Sequence, residues 1–325
     1  MANLLVSVII VNWNKRALLA ETLSALRAQT FRDFETIVVD NGSTDGSADF
    51  VAAEFPDARL VRVDENTGFA KGNNLGIRVA RGEFIVLLNN DAVPHPDWLA
   101  ELAGAMQRHP DAGFGASRVV LYAHPELLDS AGDGIAGSGT VFRRGHRRPA
   151  SEFEREEFVF GAQACASIYR RAMLDEIDLF DEDFFLVYED ADLSFRAQLA
   201  GFKCIYAPRA LVRHHGEATV GAFSSLYAYQ NQRNVEYVFV KNVPTSLFWS
   251  LVPGHLLYLL MGFGFYLFKG RGIPYLRGKW DALRALPRLL EKRKHIQKNI
   301  RVAPAYLRAF ITSDWIARTL REKIQ

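Results

Sequence analysis

A chain of 325 residues that is 49% hydrophobic can fill one large core or two without covalent staples. Its two cysteines, Cys165 and Cys204, exclude a disulfide framework and a cysteine metal cage and make a reducing compartment the default. The net charge of +2 hides a division: from Lys269 onward fifteen Lys and Arg face four Asp and Glu, so the earlier part stands at −9, and a basic C-terminal part favours an anionic partner.

The first residues, MANLLVSVIIVNWN, lack a basic leader and a small-residue cleavage site, and no secretory signal is expected. VSVIIV (residues 6–11) reads as a strand buried on both faces. Leu18, Leu19, Leu23 and Leu26 then follow at helical spacing, ETIVVD ends a second strand at Asp40, and LVRV (residues 60–63) is a third. A helix over residues 70–80 leads into FIVLL, which ends in Asn89, Asn90 and Asp91. Strands alternating with helices predict a parallel sheet whose ligands bind at the carboxyl ends of its strands, where Asn12, Asp40 and Asp91 all fall.

Residues 118–160 are rich in Gly, Arg and His without a clean period and read as a long loop or hairpin excursion. Within them Gly132, Gly134 and Gly137 match the spacing of a dinucleotide fingerprint, but no first strand precedes them and no helix opens there, so the match reads as loop. EDADLSFRAQLAGF predicts a helix from near Asp190 with Gly201 as its C-cap, and KCIYAP a strand that leads to His214 and His215. Thr245–Phe268 holds no Asp, Glu, Lys or Arg over 24 residues, the length of a membrane segment, and Pro253, Gly254 and His255 in its middle make a broken or re-entrant helix as plausible as a straight span. Trp280, Leu283, Leu286, Leu289 and Leu290 opposite Lys279, Arg284, Arg288 and Lys292 predict a helix lying on an anionic bilayer.

Each polar cluster admits a structural and a chemical reading. Asp91 is either a turn or helix-cap residue or a ligand for a divalent cation, and Asp40 is a turn former or a ligand contact. Asn66, Gly68, Phe69, Asn73 and Asn74 form a turn into a helix or approach a ligand. Tyr188, Glu189, Asp190 and Asp192 decorate a helix N-terminus or supply a general base.

VSVIIVNWN, VVDNGSTDGS, NTGFAKGNN, LLNNDAVP, FDEDFFLVYEDADLSFRAQLAGF and APRALVRHH, in this order, resemble family 2 glycosyltransferases of the GT-A fold, in particular the bacterial rhamnosyltransferase-like and galactofuranosyltransferase-like branch. The resemblance implies a Rossmann-like, mostly parallel α/β sheet. It implies a catalytic domain over residues 1–220, with a donor half to about 117 and an acceptor half to about 220. A connecting helix over 221–244 and membrane-associated helices over 245–325 follow. It implies an inverting, metal-dependent transfer from a nucleotide-sugar, dTDP-rhamnose or a UDP-sugar, to a lipid-linked glycan. A cytosolic donor, the expected lack of an export signal and the Lys and Arg after Phe268 predict a place at the cytoplasmic face of the plasma membrane. Asn12, Asn14, Asp40, Asn66, Gly68, Phe69, Asn73, Asn74, Asn89 and Asn90 would then hold the donor, and Asp91 with His214 would hold Mn²⁺ or Mg²⁺. Asp190 would act as base beside Glu189, and Tyr188, Asp192 and His215 would meet the acceptor. Asn89 departs from the pattern, since the family often carries aspartate there. That change is the one support for a non-catalytic, glycan-binding subunit. A homo-oligomer is possible, and a nucleic-acid partner is not expected, because the basic charges interleave with leucines.

Overall fold

The computed structural model describes residues 5–216, 224–317 and 319. In the first part the alternation yields β1 (Val6–Asn12), α1 (Arg16–Arg27), β2 (Phe34–Asn41), α2 (Ser47–Glu54), β3 (Arg59–Val63), α3 (Phe69–Val79) and β4 (Phe84–Leu88). The four strands pair in parallel in the order β4-β1-β2-β3. Every residue of β4 is buried, which is why its sequence is apolar without alternation. Asn12 pairs in register with Asp40, so the polar ends of β1 and β2 share one edge of the sheet.

The sheet continues through β5 (Ala92–Pro94), the helix α4 (Trp98–Arg108), β6 (Ala112–Leu121) and β7 (Leu128–Ser130). Next come β8 (Asp133–Ala136), β9 (Val141–Arg143), β10 (Glu157–Val159) and β11 (Ala166–Arg170). After α5 (Arg171–Ile177) and α6 (Glu189–Leu199) comes β12 (Lys203–His214), longer than KCIYAP alone suggests. Ten strands form one mixed sheet on the path β10-β12-β6-β11-β4-β1-β2-β3, with β5 against β12 and β7 against β6. The excursion expected over residues 118–160 is largely ordered: β8 and β9 make an antiparallel hairpin that stands off the main sheet. Gly201, at φ +91°, closes α6 as the sequence predicts.

The C-terminal part is α7 (Ser225–Asn242), α8 (Thr245–Phe268), α9 (Gly272–Arg284), α10 (Leu286–Lys298), α11 (Pro304–Arg308) and β13 (Ile311–Thr312), which pairs parallel to β8. Two of the expected features take a different local form. First, α8 runs unbroken through Pro253. A proline removes one helical hydrogen bond, and packing on either side keeps the helix continuous. Leu247 and Leu251 join a core shared with Ile135, Phe160 and Phe195, and Gly254 sits so close to the β8–β9 turn that a Cβ would meet the Gly137 carbonyl oxygen at 2.5 Å.

Second, the stripe expected to rest on lipid splits at Ala285 into α9 and α10, with Pro287 in the first turn of α10. Leu289 is buried, while Trp280, Leu283 and Leu290 are exposed. Lys279 pairs with Glu236 at 2.6 Å, and Lys292 with Asp181 and Asp183 at 2.6 Å each. Arg288 reaches Asp183 at 3.0 Å. These cations therefore neutralise acidic residues of the protein itself.

Candidate active site

The carboxyl edge of β1, β2 and β4 opens into a cleft of about 700 Å³. A network of amides and hydroxyls builds its floor. Asn90 donates to Asn12 Oδ1 at 2.7 Å, Asn12 donates to Ser43 Oγ at 3.2 Å, and the Thr22 hydroxyl donates to the Asn90 carbonyl. Asn14 ties the same loop through Ser43 Oγ and the Thr44 amide. One Asp40 oxygen accepts from the Ser43 amide at 3.0 Å, and the other is buried with no hydrogen-bond partner. A buried oxygen in that condition is costly unless a ligand completes it.

Asp91 lies beyond β4, and His214 ends β12 across the β5–β12 pairing. His214 Nε2 stands 3.2 Å from Asp91 Oδ1, an oxygen that has no geometrically sound hydrogen bond, and Asn89 Oδ1 beside it is also buried and unpartnered. Behind His214, Asp129 Oδ2 accepts from Nδ1 at 2.7 Å. A carboxylate behind an imidazole, with the far nitrogen turned to a second carboxylate, is the arrangement that orients a histidine toward a metal. Burial works against the His214 charge, but Asp129 and Asp91 outweigh it and push its pKa up to about 10. Asp129 is buried yet held well below the usual carboxylate range, by Arg143 and by hydrogen bonds to His146 and His214. The donor set fits a hard divalent cation that takes one carboxylate, one imidazole and oxygens from phosphate or water. Among the described residues no third acidic or imidazole side chain completes a cage.

The cleft carries three further carboxylates. Asp190, in the first turn of α6, accepts from the Ala164 amide at 3.2 Å and the Ala191 amide at 2.7 Å. Burial nevertheless raises its pKa. Glu189 is raised well above the usual range by burial and by the Asp190 charge, and one of its oxygens has no partner. Asp133, on β8, is raised in the same way. Asp129 and Asp133 were not among the candidates from sequence. A signal for Asp133 was present, an aspartate between two glycines in the motif read as loop, where small neighbours let a ligand approach.

Further out, the cleft is lined by Leu226 and Tyr227 of α7, by Tyr258, Phe265 and Tyr266 of α8, and by Tyr188. Arg143, His146 and Arg147 line the β9 side.

The cleft gathers Asn66, Gly68, Phe69, Asn89, Asn90, Asp91, Tyr188, Glu189, Asp190 and His214 from among the candidates. Others stand behind or away from it. The Asn73 amide turns back to the Phe69 carbonyl, and Asn74 clamps Phe180 and Glu182, so both serve the scaffold of α3. Asp192 is fully buried between Arg196 at 2.9 Å and Lys241 at 2.7 Å, with Asn242 donating to it, and it fastens α6 to α7. His215 stacks on Tyr122 at 3.7 Å and pairs with Glu21, outside the cleft. Asn41, which the sequence reading did not single out, holds the turn at residues 66–68 through Asn66, Thr67 and Gly68.

The uncharacterized protein y4gI of Sinorhizobium fredii is 28% identical over 230 residues, 67% of this chain but 25% of that protein. The N-acetylglucosaminyl-diphospho-decaprenol L-rhamnosyltransferase of Mycobacterium tuberculosis is 25% identical over 241 residues, 66% of this chain and 77% of its own length. The chain thus spans a quarter of one relative and most of the other. The mannosyltransferase PcManGT from Pyrobaculum calidifontis, solved with GDP-Man and Mn²⁺, superposes with a TM-score of 0.54 at 19% identity, over 94% of this chain and 85% of that one. That likeness bears on the fold, which is the GT-A type. The model for glycosyl transferase family 2 matches residues 7–178, more than half of the sequence, and the chain belongs to that family.

Proposed function

We propose that the chain moves a sugar, with inversion, from a nucleoside-diphosphate donor to a hydroxyl of a lipid-linked glycan in the synthesis of a cell-envelope polysaccharide. The donor favoured is dTDP-rhamnose, with a UDP-sugar as the alternative; the rhamnosyltransferase relative supports that order. The observation that carries the reading is the cleft itself, in which the Asp91–His214 pair and the desolvated Asp190 line one space.

The unpartnered Asp40 oxygen suits the ring N–H of a pyrimidine, and Asn89 suits a ribose hydroxyl. Asp91 and His214 would hold Mn²⁺ or Mg²⁺, which neutralises charge on a departing diphosphate and contributes several kcal/mol in such reactions. Asp190 takes the acceptor's hydroxyl proton while that oxygen bonds to the anomeric carbon. The bond from that carbon to the diphosphate oxygen breaks, and its electron pair leaves with the nucleoside diphosphate. A raised pKa suits this work, because a base is most effective when its pKa approaches the working pH.

The acceptor's lipid is supported by α8. This helix is long and apolar enough to cross a membrane, but Tyr258, Phe265 and Tyr266 on one side of it line the cleft while Trp249, Leu256, Leu260 and Phe268 on the other are exposed. A helix that forms a wall of the active site cannot also leave the protein to span a bilayer alone. We therefore read it as lying flat in the cytoplasmic interface of the plasma membrane, with the cleft mouth toward lipid-linked substrates. The test is a panel of dTDP-, UDP- and GDP-sugars, scored with Mn²⁺ for protection against thermal unfolding and then for nucleoside diphosphate release. dTDP-rhamnose should protect most, and Asp190→Asn should bind it within a few fold while losing roughly 10²- to 10⁴-fold in turnover. Protection by none of the sugars would overturn the reading.

A further inference from the structure

The segment just before the base, residues 184–188, is held in an unfavourable shape. Phe185, Val187 and Tyr188 have φ of 60°, 70° and 72°, a region that side-chain-bearing residues avoid and that a β-branched valine avoids most. Such a segment persists only if its surroundings over-determine it. Here every carbonyl from Asp183 to Val187 accepts a hydrogen bond from elsewhere. Arg233 Nη2 donates to the Asp183 and Phe184 carbonyls at 3.0 Å each. The Asn234 side-chain nitrogen meets the carbonyls of Phe184 at 3.0 Å, Leu186 at 2.8 Å and Val187 at 2.7 Å. The Phe185 carbonyl accepts from the amides of Phe69 at 2.6 Å and Ala70 at 3.3 Å, at the start of α3. Asn234 is fully buried, and Arg233 Nε donates to its Oδ1 at 2.9 Å, which fixes the amide's orientation.

We propose that Asn234 is the positioning residue of this active site: it locks the strained 184–188 segment so that Asp190 stands at a set distance from the donor end of the cleft. The same segment touches Gly68, where a Cβ would meet Phe185 at 2.6 Å. It therefore bridges the donor-side turn and the base, and Asn234 fixes that bridge from α7, outside the 7–178 stretch matched by the family model. Asn234 touches neither reacting group and acts through the backbone.

The proposal rests on Asp190 being the base, and the experiment separates the two. Asn234→Ala, Asn234→Ala/Val187→Gly, Val187→Gly and Asp190→Asn are compared in the full chain. The readouts are calorimetric affinity for dTDP with Mn²⁺, nucleoside diphosphate release from the sugar nucleotide that best protects the wild type, and thermal unfolding. The Asn234→Ala protein should release product about 100-fold more slowly with dTDP affinity within three-fold of wild type. Glycine at 187 adopts positive φ without strain, so the double variant should recover at least ten-fold of that loss. Full activity of Asn234→Ala, equal loss of dTDP affinity and turnover, or no recovery in the double variant would each overturn the positioning role. Wild-type turnover in Asp190→Asn would instead overturn the assignment of the base. If Asn234→Ala does not fold, Asn234→Gln, whose longer amide cannot meet all three carbonyls, replaces it under the same criteria.

Discussion

At the scale of single residues the site turns on Asp129, whose 2.7 Å bond to His214 Nδ1 keeps Nε2 aimed at Asp91. Arg143 at 2.5 Å keeps that carboxylate ionised. The Asp129→Asn substitution preserves shape but weakens the acceptor behind the imidazole. Removal of such outer partners costs about 10- to 100-fold in metal affinity, and that loss is expected in a calorimetric titration of Mn²⁺ with dTDP present, with dTDP binding alone little changed. Neither Asp129 nor its role was legible in the sequence, because 85 residues separate it from His214 and its own surroundings have no periodicity. Asp91 was legible, since an apolar strand that ends in an acid at the carboxyl edge of a parallel sheet is a local pattern.

At the scale of elements, α8 and α9 are anchored by a buried trio. His255 bridges the Ser138 carbonyl and Glu236 at 3.1 Å each, and Lys279 meets the other Glu236 oxygen at 2.6 Å. Burial would raise the Glu236 pKa, but His255 and Lys279 outweigh it and hold the group at about 2, against an ordinary 4.5. A depressed carboxyl stabilises the fold above its ordinary pKa and loses that contribution as the pH falls toward the folded value. The shift corresponds to about 3 kcal/mol at most, reduced by the burial that lowers the pKa of Lys279. Wild-type stability should therefore fall between about pH 4.5 and 2. Glu236→Gln should be less stable at pH 7 and show less of that acid slope in denaturant titrations. The close approach of Gly254 to Gly137 gives a second test. Gly254→Ala should cost roughly 1–3 kcal/mol by overpacking, read as a lower unfolding temperature, and should slow turnover by shifting Tyr258 and Tyr266 in the cleft wall.

At the scale of the whole molecule, the exposed apolar residues gather on the C-terminal helices: Trp249, Leu260, Leu267 and Phe268 on α8, and Ile273, Leu276, Trp280 and Leu283 on α9. An apolar face of that extent on a soluble surface marks a contact with membrane or protein. Because this segment also carries the basic excess, vesicles containing anionic phospholipid should bind the protein, less so at high salt. The triple variant Trp249→Glu/Leu260→Glu/Phe268→Glu should lose vesicle binding while keeping its thermal protection by nucleotide, measured by co-sedimentation and by melting. Undiminished sedimentation with vesicles would move the contact elsewhere, and a wild type that associates only with itself would make the face a subunit interface.

The sequence by itself determined the parallel part of the sheet and the edge at which its polar strand ends gather. Periodicity and strand-end polarity are local, and β1, β2 and β4 follow from them with Asn12, Asp40 and Asp91 at their ends. It also determined that residues 245–268 are helix-length and apolar, but not what that helix does. Only the tertiary structure decided that α8 runs unbroken through Pro253 and walls the cleft, that Lys279 and Lys292 neutralise internal acids, and that Asp192 ties α6 to Lys241. These outcomes depend on which side chains meet across tens or hundreds of residues. A composition that suits a lipid surface equally suits a protein partner until the fold supplies one.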